Sequence, residues 1–181
     1  GDTLKHQKHH RGAGEVMSQA SYKFGMYDSK YLVQLSGDLR YTECGPFDSF
    51  LCKLREREQD IDILVDVTGA EMIDSTNLGL IAELAAHVQE HFHHKLPLMS
   101  TNPTITSAIE NMGLDVLCMI IKGPSPSPES TTDLANNGSE ERNLKQIMLE
   151  AHEALIDLNE PNRMAFEKSV ELLKGKKPNE D

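Results

Sequence analysis

The chain has 181 residues and a formal net charge of −11, enough length for one full domain plus an extension. That charge argues against nucleic acid as a partner, because no basic stripe offsets it. No apolar run approaches a membrane span, and the N-terminus has no secretory h-region. Cys44, Cys52 and Cys118 are odd in number and lack CxxC spacing, which predicts reduced thiols in the cytoplasm. Residues 1–16 are polar, with His6, His9 and His10, and read more simply as a disordered, expression-derived leader than as a metal site. Met17 is then the natural start. Tyr22, Phe24 and Met26 alternate with polar residues, as do Tyr31, Val33 and Leu35, with Asp28-Ser29 as the hairpin turn between them. The second strand is expected to stop at Ser36-Gly37-Asp38-Leu39. Phe47, Phe50, Leu51 and Leu54 then recur at helical spacing behind Pro46, a first-turn residue.

The central stretch is Ile61 to Ala86. Ile61, Ile63, Leu64, Val65 and Val67 predict a short buried strand. A Thr68-Gly69 turn follows, then Met72-Ile73 and the polar run Asp74-Ser75-Thr76-Asn77. Leu78, Leu80, Ile81, Leu84, Ala85 and Val88 continue as an amphipathic helix ending near His94. A hydroxyl at its start lies among unpaired backbone N–H groups at the positive end of the helix dipole. That environment holds an anion, and a phosphorylated serine is one.

Leu96 to Met99 predicts another buried strand, Asn102-Pro103 opens a helix closing at Gly113, and Leu114 to Ile121 reads as a last strand. Strands and helices alternate after a hairpin, so the fold class is α/β with a mixed sheet. The organisation is a domain over 17–122, a stiff and disordered Pro/Ser-rich linker over 123–138, an amphipathic helical extension over 139–175 and a disordered tail over 176–181. The extension starts at Ser139-Glu140-Glu141 and carries Leu144, Ile147, Met148, Ala151, Leu155 and Leu158 on one side. Asn159 to Asn162 interrupts it before Phe166, Val170 and Leu173. Such a stripe has to be buried on the domain, against a second copy in a dimer, or on a partner.

Three segments, Leu32–Leu39, Ile63–Thr68 and Met72–Gly79, with Ile109–Val116 in support, resemble the STAS family, specifically the bacterial anti-sigma factor antagonists. The resemblance covers roughly Tyr22 to Ile121, and its most specific part is Asp-Ser-Thr-x-Leu-Gly after a buried strand. It implies a STAS-type sheet with helices packed on it and phosphorylation at Ser75. It also implies a partner-binding surface at Asp74, Ser75, Thr76, Asn77 and Leu78. The implied partners are an anti-sigma factor that is itself a serine kinase and a PP2C-type phosphatase, in a partner switch that regulates transcription. Asn77 departs from the family's glycine, and asparagine tolerates unusual backbone angles better than most residues.

Each of these positions has a plainer reading. Ser75 is also a good N-cap, Thr76 is a weaker acceptor, and Asp74 suits capping better than catalysis. No histidine or cysteine at a suggestive spacing supports a nucleophile, and no glycine-rich phosphate loop follows a strand, so an enzyme is not expected. His87, His91 and His94 share a face with Glu90; a solvated face is the simpler reading than a metal site. No cofactor is expected. The alternative function is a STAS adaptor that recruits a signalling enzyme, such as a nucleotide cyclase, through the C-terminal helix; a third is a small-molecule-binding STAS domain.

Overall fold

A computed structural model describes residues 17–57, 60–128, 130–135 and 142–175. The leader, the tail and the helix start expected at Ser139 lie outside these residues. Strands β1 (Ser21–Tyr27) and β2 (Lys30–Leu39) form an antiparallel hairpin closed by Asp28 and Ser29, both at positive φ. Two such residues in a two-residue loop make the turn whose twist matches the strands it joins. Helix α1 (Gly45–Arg55) follows a 3₁₀ turn at Tyr41–Glu43. Strands β3 (Ile63–Asp66) and β4 (Ala70–Ile73) both run parallel to β2, against its two halves.

β2 does not stop at Ser36. It continues to Leu39 through an irregularity at Gly37, whose φ of 80° and contact with the Gln19 carbonyl admit no side chain. That bend lets one strand serve both β3 and β4. Helix α2 (Ser75–Phe92), β5 (Leu96–Met99), α3 (Pro103–Asn111) and β6 (Cys118–Ile121) complete the alternating part. Only the second half of the predicted last strand is extended; Leu114–Val116 is a 3₁₀ turn. The fold is α/β with a mixed sheet in the order β6-β5-β3-β2-β1, with β4 beside β2 and one further strand beyond β1.

β7 (Thr131–Asp133) lies within the stretch read as disordered linker and pairs antiparallel with β1. It sits at the opposite edge from β6, five strand spacings or roughly 24 Å away. The ten steps from Ile121 to Thr131 reach roughly 31 Å in polyproline geometry, so this path crosses the back of the sheet almost taut. Ser125 Oγ donates to Asp66 on β3 (2.9 Å) and Pro128 lies beside Gly25 on β1. The proline-rich segment is a strap.

The front of the sheet carries the main core, with Val33, Leu35, Val65, Leu80, Ile81 and Leu84 all sealed from solvent. Helix α4 (Leu144–Ile156) joins this core through Ile147, Ala151 and Leu155, and α5 (Glu160–Leu173) packs against it through Phe166. α4 begins at Leu144, where Asn143 caps the Lys145 amide. Arg142 pairs with buried Asp48 of α1 at 3.0 Å, and Asn162 donates to the Met112 and Leu155 carbonyls at 2.8 Å. The extension is thus docked on its own domain.

Candidate functional site

Asp74 ends the connection from β4 and is the N-cap of α2; Ser75 is the first helical residue. One Asp74 oxygen accepts from the Asn77 amide and the Asn77 side chain, both at 2.9 Å. The other accepts from the Tyr41 amide at 2.6 Å. With both oxygens so occupied, Asp74 is a positioning group rather than a base, and the capping expected as Ser75's plainer role falls to Asp74. Ser75 Oγ is left to bond elsewhere.

Asn77 has ordinary helical geometry, so backbone tolerance is not its reason for standing here. Its side chain is fully buried, donates to Asp74 and accepts from the Tyr22 hydroxyl at 2.6 Å. Burial, with Cys44 and Asp74 nearby, pushes the Tyr22 phenol far above its ordinary range, so it remains a donor. Burial and the same carboxylate push the Cys44 thiol up to about 12. A glycine at 77 would leave this donor and acceptor unmatched. The residue is a hydrogen-bond bridge between β1 and the cap.

The serine meets a partner that sequence spacing did not reveal. His152 of α4 places Nε2 2.8 Å from Ser75 Oγ, while its Nδ1 lies 2.7 Å from the Met148 carbonyl. Sequence spacing offered no histidine for a nucleophile, and the fold supplies one at a distance: 77 residues of chain separate the two, and the docking of α4 joins them. The signal was a histidine inside the apolar stripe of Ile147, Ala151 and Leu155. α4 comes this close because Gly79 has no side chain: a Cβ there would lie 2.3 Å from the Ala151 carbonyl oxygen.

Ser75 and His152 border a cleft of about 420 Å³, also lined by Arg40, Tyr41, Met72 and Met148. Tyr41 and Met72 are 43% and 45% exposed, a bulky apolar rim around a half-buried hydroxyl. Arg40 is tied to Asp38 at 2.6 Å. Of the five residues expected to bind a partner, Thr76, Asn77 and Leu78 are at most 2% exposed, and of these Thr76 reaches the wall of the cleft. Consecutive residues point about 100° apart on a helix, and all three are buried because α2 is covered on more than one side, by the sheet and by α4 against Gly79. Of the five, Asp74 and Ser75 are the two that are partly exposed.

At the far end, α2 stops at Phe92 and His93 is left-handed, so His94 lies off the helix that was expected to carry it. Its Nδ1 bonds the Lys95 carbonyl instead. Among the described residues no group of three or more histidine, cysteine or acidic side chains is placed to hold a metal, and no helix is long and apolar enough to cross a membrane. No family model and no curated protein sequence matches the chain.

Proposed function

We propose that this protein is a STAS-type anti-sigma factor antagonist: a phosphorylation-controlled binding protein that engages an anti-sigma factor/serine kinase when Ser75 is unmodified. The observation that carries this reading is the placement of Ser75. Its hydroxyl stands on the first turn of α2, held by no backbone cap, at the mouth of an apolar-rimmed cleft. A partner seated on Tyr41 and Met72 covers that hydroxyl. A phosphate adds a charge of about −1.5 to −2 next to Asp74. Burying it under a partner costs several kcal/mol, whereas the uncomplexed fold can turn it toward water. A PP2C-type phosphatase then restores binding.

Phosphopeptide mass spectrometry after incubation with the cognate kinase is expected to place the label on Ser75. A label on neither Ser75 nor Thr76 removes this reading. Ser75→Ala keeps partner binding constitutive and Ser75→Asp weakens it about tenfold or more, as a pull-down would read.

A second reading, an adaptor that recruits a signalling enzyme, is favoured by Met164 and Leu172 of α5, exposed at 74% and 52%. Replacing both with aspartate separates the two. Lost enzyme recruitment with retained kinase binding selects the adaptor.

A further inference from the structure

His152 is placed to do more than hold a hydroxyl. A carbonyl only accepts, so the contact with Met148 keeps a proton on Nδ1 and leaves Nε2 as acceptor for the Ser75 hydroxyl. Nε2 is then the ring position able to gain a proton. The side chain is 6% exposed and packs edge-on against Phe166 of α5, with ring centroids 5.1 Å apart. The ring is held between Ser75, the Met148 carbonyl and Phe166.

A phosphate on Ser75 admits two responses. Expelling α4 would part Gly79 from Ala151, where the backbones touch, and strip cover from Ile147, Ala151 and Leu155. Turning Ser75 about its single side-chain bond instead aims the phosphate into the adjoining cleft, with His152 still at its wall. The second response breaks one hydrogen bond and leaves the core intact. Of the charged groups around the ring, Asp74 directs its oxygens to Asn77 and Tyr41, and Asp38 is paired with Arg40. Glu150 lies on the ring's own helix, paired with Arg142, and α5 offers it the uncharged Phe166.

We infer that His152 is an intramolecular phosphoserine receptor. With phosphate on Ser75, Nε2 takes a proton from solvent, donates it in a charge-assisted hydrogen bond to a phosphate oxygen, and locks α4 and α5 over α2. The inference rests on Ser75 being the modified residue. Phosphorylation then acts twice, charging the cleft and tightening the chain's own cover.

The test uses the full chain with phosphoserine encoded at position 75, so it needs no kinase. Hydrogen exchange across Leu144–Leu173 is expected to slow roughly tenfold on phosphorylation, the gain of a charged over a neutral hydrogen bond. A side-chain ¹H–¹⁵N signal from His152 Nε2–H is expected in the phosphoprotein and not in the unmodified protein. His152→Gln abolishes the slowing. Faster or unchanged exchange, or an Nε2 without a proton, overturns the inference, and the nitrogen signal decides it even should the variant not fold. Failure of a kinase to label Ser75 would instead remove the switch and leave this result standing.

Discussion

The two ends of α2 carry comparable polar clusters in sequence and have opposite fates in the fold. At the N-terminus, Asp74, Ser75 and Asn77 are met by Tyr22 from β1, Tyr41 from the 3₁₀ turn and His152 from α4, each within 2.9 Å. Toward the C-terminus the His87 and His91 rings lie 4.3 Å apart at a tilt of 47°, and His93 and His94 are exposed. A cluster becomes a site when side chains from other segments bond to it. At the histidine end Arg55, Val116 and Ala154 border a cleft beside His87 and His91, but the rings pack on neighbours along their own helix.

Gly79→Leu breaks the N-terminal end most severely, because the new side chain overlaps the Ala151 backbone. A loss of about 3 kcal/mol in urea unfolding is expected, with exchange protection lost first across α4 and α5. Asn77→Gly, which restores the residue the family resemblance implies, comes next. It leaves the buried Tyr22 hydroxyl unpaired and costs about 2 kcal/mol. In that background Tyr22→Phe is nearly free, so the double-mutant cycle shows coupling of about 1 kcal/mol; additivity within error would dissolve the bridge.

At the other end the effects are small. His94→Ala changes stability by less than about 0.5 kcal/mol. Burial, then the neighbouring His91 and Arg55 charges, lowers the His87 pKa. Its neutral form is thus favoured by folding: the associated stability is present above the ordinary histidine range and lost as pH falls through the lowered value. His87→Gln should flatten that acid-side slope in unfolding titrations, and an unchanged slope assigns it to other groups.

Much of the framework was legible because its periodicities are local. The hairpin turn, the buried strands at Ile63 and Leu96 and the stripes of α1, α2 and α4 all follow from residues within a few positions of each other. β4 and β7 were missed for one reason: each is a short strand with little apolar patterning, and its pairing comes from a distant partner. The position of Ser75 was legible as a helix start, but His152 was not, since helix docking sets that contact. Asn77 was misjudged because its role lies in its side chain, toward a tyrosine 55 residues earlier.

The strap has a consequence for anything that competes with α4. It delivers the chain to the far edge of the sheet at β7, and only ten residues separate Asp133 from Leu144. A helix on so short a leash, once lifted, remains at a local concentration on the order of millimolar. An external helix seeking the same face must outcompete that reservoir, so even an intrinsically tight binder would register as weak. Lengthening the leash would raise its apparent affinity without altering a single contact.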